Sequence, residues 1–260
     1  MKFRLLTTGY NPASYNMALD ESVLNHIAEG LSPPTLRFYG WKPAAISIGY
    51  FQSLAEEVDL AACKKYGIDC VRRITGGGAV FHEHEITYSI HIPEKFAGEL
   101  DLPMGILESY GKICGGILKG LVHLGINAQF VPLNDIIMLQ NGEPKKISGN
   151  AQTRKKGVIL QHGTILLKVD VDKMFELLKV PDEKLKGKMI ENVKQRVSSL
   201  SQALGREVGF EEALEVLKKG FTEEFSAAEF IPGELNENEK TLLEKLKMEK
   251  YGADEWNKRR

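Results

Sequence analysis

The stretch from residue 135 to residue 169 constrains the fold more than any other part of this chain. Asp135 to Leu139, then Asn141-Gly142, then Lys146 onward read as strand, turn, strand, and Val158 to Val169 supplies a further long strand. An Asn-Gly pair between apolar runs specifies a tight hairpin, which makes the strands it joins antiparallel. The pattern does not fit alternating βαβ units or the glycine-rich nucleotide sites that sit on them.

Around this sheet-rich centre the periodicity changes. Asn11-Pro12 reads as a cap followed by a proline at the first helical position, and Met17, Val23, Leu24 and Ile27 follow at helical spacing, which predicts a helix over 12–29. Thr35 to Tyr39 and Ala45 to Tyr50 read as paired strands, and 59–66 as a short helix closed by Gly67. A strand over Asp69 to Arg73, a strand over Ile86 to Ile92 with one buried face, and a helix over 104–124 come next. From Asp172 the chain turns helical and charged, with helices expected near 172–179, 182–192, 210–225 and 236–250. The expected fold is α+β, a mixed and mainly antiparallel sheet flanked by helices, with 1–260 as one domain whose part from 172 to 260 is rich in helix.

Charge and cysteine content narrow the function classes. The 34 basic and 35 acidic side chains leave a net charge of −1, which argues against a protein that holds nucleic acid through an excess of basic charge. No stretch reaches the roughly 18 to 20 apolar residues of a membrane span, and the amino terminus turns polar before a signal-peptide core could form. Cys63, Cys70 and Cys114 are an odd number without C-x-x-C spacing, as reduced thiols in a cytoplasmic protein would be. Neither a nucleic-acid nor a membrane partner is expected.

Three segments carry residues suited to chemistry. In Arg72-Arg73-Ile74-Thr75-Gly76-Gly77-Gly78-Ala79-Val80-Phe81-His82, three glycines let main-chain amides approach a ligand, and the arginines can pair with phosphate or carboxylate. A permissive turn between two strands is the other reading of the same residues. In Lys145-Lys146-Ile147-Ser148-Gly149-Asn150, a lysine at a strand end can stabilise negative charge developing on an oxygen, though most lysines are simply solvated. His162-Gly163-Thr164 interrupts an apolar strand, where the histidine either faces a ligand or is a hydrogen-bonded core residue. His82 and His84 would share a strand face with no third ligand in evident position, which disfavours structural zinc.

Taken together, RRITGGGAVFH, Leu133-Asn134-Asp135, KISGNAQ from Lys146 and HGTILL from His162 occur in an order that resembles the lipoate-protein ligase A family. Likeness at Asn16-Met17-Ala18-Leu19-Asp20-Glu21, at Gly49-Tyr50-Phe51-Gln52 and at Glu255-Trp256-Asn257 extends it over nearly the whole chain. The resemblance implies the fold shared by biotin and lipoate ligases and an ATP-dependent reaction, in which lipoate or octanoate becomes an acyl-adenylate and then acylates a lysine of a lipoyl carrier domain. It implies that Lys146 is catalytic and that Arg73, Thr75, Gly76, Gly77, Gly78, Ala79, Val80, Phe81 and His82 bind the substrate or adenylate. Ser148, Gly149, His162, Gly163 and Thr164 join that set, while Asn134 and Asp135 match a polar pair near the nucleotide, with Asp135 a candidate for Mg²⁺. The expected partners are carrier domains of the glycine cleavage H protein or 2-oxoacid dehydrogenase E2 type, and a separate small accessory ligase subunit.

The chain departs from that family's pattern after Phe81-His82-Glu83, where the link to Thr87-Tyr88-Ser89 is shorter. This link, with Ala151-Gln152-Thr153-Arg154 and Gly157 to Gly163, is similar to the cysteine-dependent octanoyltransferases of the same superfamily, which use no ATP. Such enzymes carry the acyl group on a cysteine in the loop before the lysine strand. Here that loop, Phe130 to Asp135, has none, so ATP-dependent ligation is the expected reaction and transfer without ATP the alternative. A DNA-binding regulator with the same pocket is disfavoured, because the first 12 residues leave no room for a helix-turn-helix module.

Overall fold

The computed structural model describes residues 1–180 and 183–259. In chain order, β1 (Lys2–Asn11) leads to α1 (Ala13–Ala28), β2 (Thr35–Trp41), β3 (Ala45–Ile48), α2 (Leu54–Glu57), α3 (Leu60–Tyr66), β4 (Asp69–Arg72), β5 (Val80–His82) and β6 (Glu85–Pro93). Next come α4 (Ile106–Val122), β7 (Ala128–Val131), β8 (Asp135–Gln140), β9 (Glu143–Lys155) and β10 (Val158–Leu166). The rest is α5 (Val171–Leu177), α6 (Lys186–Arg196), α7 (Leu200–Leu204), α8 (Phe210–Glu224), β11 (Glu229–Pro232), α9 (Glu237–Leu246) and α10 (Asp254–Asn257). The start at 182 assigned to one helix from sequence lies outside the described residues.

The fold is α+β. Eight strands form a mixed sheet in the order β11-β1-β2-β6-β10-β9-β8-β7, parallel only where β1 pairs with β11 and β2. A three-stranded sheet, β4-β3-β5, stands apart from it. The strands expected to pair, β2 and β3, belong to different sheets: β1 and β6 already fill both edges of β2, and β3 pairs with β4 and β5 instead. Asn11 does not cap α1; it ends β1, and Pro12 takes the cap position. Among the described residues no helix is long and apolar enough to cross a membrane.

Alternation along the central strands sorts side chains to two helical layers. Phe38, Ile86, Tyr88, Ile90 and Ile159 pack against Ile113, Ile117 and Leu121 of α4 and Leu217 and Phe221 of α8. Tyr39, Trp41, Val158 and Leu160 pack against Met17, Leu19 and Val23 of α1 and Leu243 of α9. The β6 strand shows what this does to the site. Its apolar residues face α4 and α8, but the alternate set, Glu85, Thr87, Ser89 and His91, is buried as well. That polar row, expected to face solvent, lies on the face covered by α1, where Ser89 donates to Asp20 and His91 bonds the Asp20 carbonyl.

Candidate active site

Two cavities open between the small sheet and the large one. The first, about 180 Å³, is walled by Ser47, Gly77, Gly78 and Val80 on one side and by Trp41, Asn150 and His162 on the other, with Met17 of α1 at its wall. The second, about 200 Å³, has Phe81, Glu85, Ser148, Leu166, Met174 and Val197 in its wall. Ala79, Val80, Lys146, Gly149 and Thr164 line both and form the waist between them.

The glycine segment is held from behind. Arg73, only 4% exposed, donates Nε to Thr75 Oγ1 at 3.1 Å, Nη1 to the Ser47 carbonyl and hydroxyl at 2.9 and 3.1 Å, and Nη2 to the Gly76 and Gly78 carbonyls at 2.8 Å each. A guanidinium has five N–H donors, and all five are engaged inside the protein. Arg73, expected to clamp a carboxylate or phosphate, lines the first cavity with its donors committed to shaping the loop; burial lowers its pKa to about 10. Arg72 is likewise turned inward, donating to the Gly49, Tyr50 and Gln52 carbonyls. Gly49 is needed opposite the loop, because a Cβ there would lie 2.0 Å from the Gly77 carbonyl oxygen.

Arg73 also sets two buried histidines. Thr75 Oγ1 accepts from Arg73 Nε and bonds His162 Nε2 at 2.7 Å; the Asp20 carboxylate, which can only accept, faces Nδ1 at 3.4 Å, so a neutral His162 carries its proton on Nδ1 and accepts from Thr75 at Nε2. Burial lowers the pKa of His162, in keeping with the neutral ring. Ser47 Oγ likewise accepts from Arg73 and is bonded to His82 Nε2 at 2.8 Å, while His82 Nδ1 faces Glu85 Oε1 at 2.6 Å. His82 stacks on Trp41 with centroids 4.0 Å apart. Burial opposes ionisation of Asp20, but Arg37 at 2.8 Å, with His162 and His91, outweighs it and holds the carboxyl well below its usual range.

Lys146 stands on β9 where the ladder with β8 slips by one residue, between Ile136 and Ile137. Ile147 enters the core, and Lys146 and Ser148 turn to the cleft, as a bulge re-aims side chains. The Lys146 ammonium is 40% exposed and 2.7 Å from Asp135 Oδ1. Asn134 and Asn150 clip the preceding loop to this strand, Asn134 Nδ2 donating to the Asn150 carbonyl at 2.7 Å and Asn150 Nδ2 to the Asn134 carbonyl at 3.0 Å. Gly163 leaves room for this clip, since a Cβ there would meet Asn150 Oδ1 at 2.0 Å. Asp135, expected to hold Mg²⁺, is the counter-charge of Lys146. Among the described residues no group of three or more His, Cys, Asp or Glu side chains gathers there.

Most residues expected from sequence therefore converge on the cleft. Arg73, Gly77, Gly78, His82, Asn134, Gly163 and His162 line the first cavity, Phe81 and Ser148 the second, and Ala79, Val80, Lys146, Gly149 and Thr164 both. Thr75, Gly76 and Asp135 sit behind the lining and support it. Sequence reasoning missed Trp41, Ser47, Glu85 and Thr87. Their signal was a polar or aromatic residue inside each β-branched run, where it reads as ordinary alternation. Cys114 lies on the other side of the sheet beside Gln161, its thiol pushed up to about 12 by burial, and Cys63 and Cys70 belong to the cluster around Ile46 and Leu54. Among the described residues no cysteine lines either cavity.

A small sheet bearing the glycine loop faces a lysine strand across two joined cavities, the arrangement of an enzyme cleft. Residues 12–222 match the lipoyl protein ligase A/B catalytic domain, and the chain belongs to that family. It is similar to octanoyltransferase LipM of Geobacillus kaustophilus, 39% identical over 277 residues that cover 99% of this chain and 98% of that protein. LipM of Bacillus subtilis is 36% identical with 99% and 98% covered. Among solved structures, the bi-partite lipoate protein ligase from Thermoplasma acidophilum superposes with a TM-score of 0.87 at 32% identity, covering 99% of this chain and 96% of that one.

These relatives correct the expected reaction. The whole-length likeness is to octanoyltransferases, so ATP-dependent ligation, and with it ATP and Mg²⁺ as cofactors, is withdrawn. The expectation had rested on motifs that resemble ligases and on the missing loop cysteine. Acyl transfer requires an activated acyl group and a stabilised oxyanion, and a thiol intermediate is one way among others to meet that need.

Proposed function

We propose that this chain transfers an octanoyl or closely related lipoate-type acyl group from a carrier-protein thioester to a lysine amino group of a lipoyl carrier domain, without nucleotide. The observation that carries the reading is the waist: two cavities meet at one ammonium group, so a donor from one side and an acceptor from the other converge on Lys146. The tail enters the first cavity, against Met17, Trp41 and Val80. At about 0.8 kcal/mol per buried methylene, six methylenes contribute about 5 kcal/mol before ordering costs.

The thioester carbonyl then lies beside Lys146, whose charge stabilises the oxyanion that forms when the amine attacks. Asp135 holds the ammonium at 2.7 Å and keeps it aimed at the waist. Burial keeps His162 neutral in the wall, so it presents no second charge. With no cysteine in either wall, the amine attacks the donor thioester directly and the thiol leaves. This transfer needs no adenylating subunit.

The test is incubation of the protein with octanoyl-acyl carrier protein and an unlipoylated lipoyl domain, free of ATP, followed by mass measurement of the acceptor. Octanoylation of one lysine is expected. Lys146→Ala should lower the rate by about 10² to 10³ while leaving the unfolding midpoint near that of the wild type, since the Lys146–Asp135 pair is half exposed. Absence of transfer by the wild type would refute the proposal.

A further inference from the structure

One carboxylate in the second cavity has an oxygen that none of the described residues satisfies. Glu85 is 2% exposed, and its Oε1 accepts from His82 Nδ1 at 2.6 Å and from the Thr87 hydroxyl at 2.8 Å. Its Oε2 is buried with no hydrogen-bond partner. A buried acceptor left unpaired is unusual and marks a place where a donor belongs. The other charged groups around this cavity are committed: Glu83 to Lys173 and His84, Asp170 to the amide of Lys173, Lys168 to Glu207, and Lys146 to Asp135.

The shape of the cavity names the donor. Leu166, Val169, Met174 and Val197 give it an apolar wall, Glu85 places an acceptor in that wall, and Lys146 stands at the waist. A lysine side chain has matching chemistry, an apolar four-carbon stem capped by three N–H donors. That chain must also lose a proton before it can attack, because an ordinary lysine has a pKa near 10.4 and is almost wholly protonated at neutral pH.

We propose that Glu85 Oε2 receives the acceptor lysine's ammonium in the second cavity and removes its first proton. This inference rests on the acyl-transfer reading above. The ammonium gives one proton to the carboxylate, and the freed nitrogen lone pair forms the C–N bond to the thioester carbonyl carbon. The carbonyl π electrons move to oxygen, beside Lys146. When they return, the C–S bond breaks and its electrons leave with sulfur. The departing thiolate takes the second proton from nitrogen, leaving an amide and a free thiol, and Glu85 returns the first proton to solvent. His82 and Thr87, bonded to the other carboxylate oxygen, fix the carboxylate in the cavity wall.

The test uses Glu85→Gln, which keeps an acceptor oxygen for His82 and Thr87 and places an amide where the base stood. Octanoyl-acyl carrier protein is the donor, with two acceptors assayed separately: an unlipoylated lipoyl domain and hydroxylamine, an amine already unprotonated at neutral pH. The variant should lose at least 100-fold in rate toward the lipoyl domain and less than threefold toward hydroxylamine. Equal losses toward both, or no loss toward the lipoyl domain, would overturn the inference. A measurement on the wild type keeps the matter decidable should the variant not fold. Across alkylamines of graded basicity, a rate that falls tenfold per pKa unit, tracking the neutral fraction, would show that solvent rather than Glu85 removes the proton; a nearly flat dependence is expected. A wild type inert toward both acceptors would instead refute acyl transfer itself.

Discussion

Replacing Asp20 with asparagine should affect both stability and the cleft, because this carboxylate joins the helix-covered face of the sheet to His162. It accepts from Arg37 Nη1 at 2.8 Å, Ser89 Oγ at 2.8 Å and Tyr39 OH at 3.2 Å, and faces His162 Nδ1 at 3.4 Å. An asparagine can serve Arg37 and Ser89 with its oxygen, but its NH₂ then meets the Tyr39 hydroxyl and the His162 N–H. Tyr39 can rotate its proton away. His162 cannot, except by moving its proton to Nε2, where Thr75 already donates. The variant also leaves Arg37, wholly buried, without its counter-charge. Breaking a buried pair in this way costs about 3–5 kcal/mol, which corresponds to a fall in Tm of about 6–20 °C for a chain of this size. Urea unfolding followed by circular dichroism measures the stability, and a cycle with Arg37→Met isolates the pair, whose coupling should exceed about 2 kcal/mol. A loss below about 1 kcal/mol, with transfer unchanged, would refute this account of the network.

Acid should destabilise the protein in two stages. His91 is buried and held at about 4, and His162 is also lowered, so the unfolded chain takes up protons first as pH drops below about 6.5. Their contribution is complete above that value and is lost on the way down, roughly 3 kcal/mol for His91; Asp20 adds a second fall below about pH 4. Stability measured against pH should show both limbs, and His91→Gln should flatten the first. Gly49→Ala should destabilise by about 1–3 kcal/mol and raise the KM for the acyl donor, because the new methyl meets the Gly77 carbonyl at 2.0 Å. Maleimide treatment of the folded protein should leave transfer intact, since no cysteine among the described residues lines either cavity, and complete inactivation without unfolding would contradict direct attack.

What was legible in the sequence follows from how local each signal is. Three glycines in a row, a lysine before Ser-Gly-Asn and a histidine in an apolar strand are unusual within a few residues, and these segments do meet at the cleft. The 135–166 strands were readable because Asn141-Gly142 sets a hairpin with nothing distant involved. Asp20 and Arg37 were not, because each looks ordinary in its own helix or strand and only β2 packing on α1 unites them. The β6 polar row read as solvent-facing for the same reason: alternation reports two faces and is silent on what covers the second. Arg73 was assigned to the ligand since the sequence shows five donors but not the carbonyls that absorb them. The reaction was misjudged because ligases and transferases of one superfamily share these motifs, and one absent thiol outweighed the local likeness to transferases at 151–154 and 157–163.

The saturated Arg73 guanidinium has a kinetic corollary. Runs of glycine suggest a flap that wanders until a guest arrives, yet here the main chain is tied down at Gly76 and Gly78. A guest would thus meet a finished receptacle, with little entropy left to surrender on arrival. Capture of the acyl chain should proceed in one phase whose speed scales linearly with donor concentration, without the plateau that a slow isomerisation would impose.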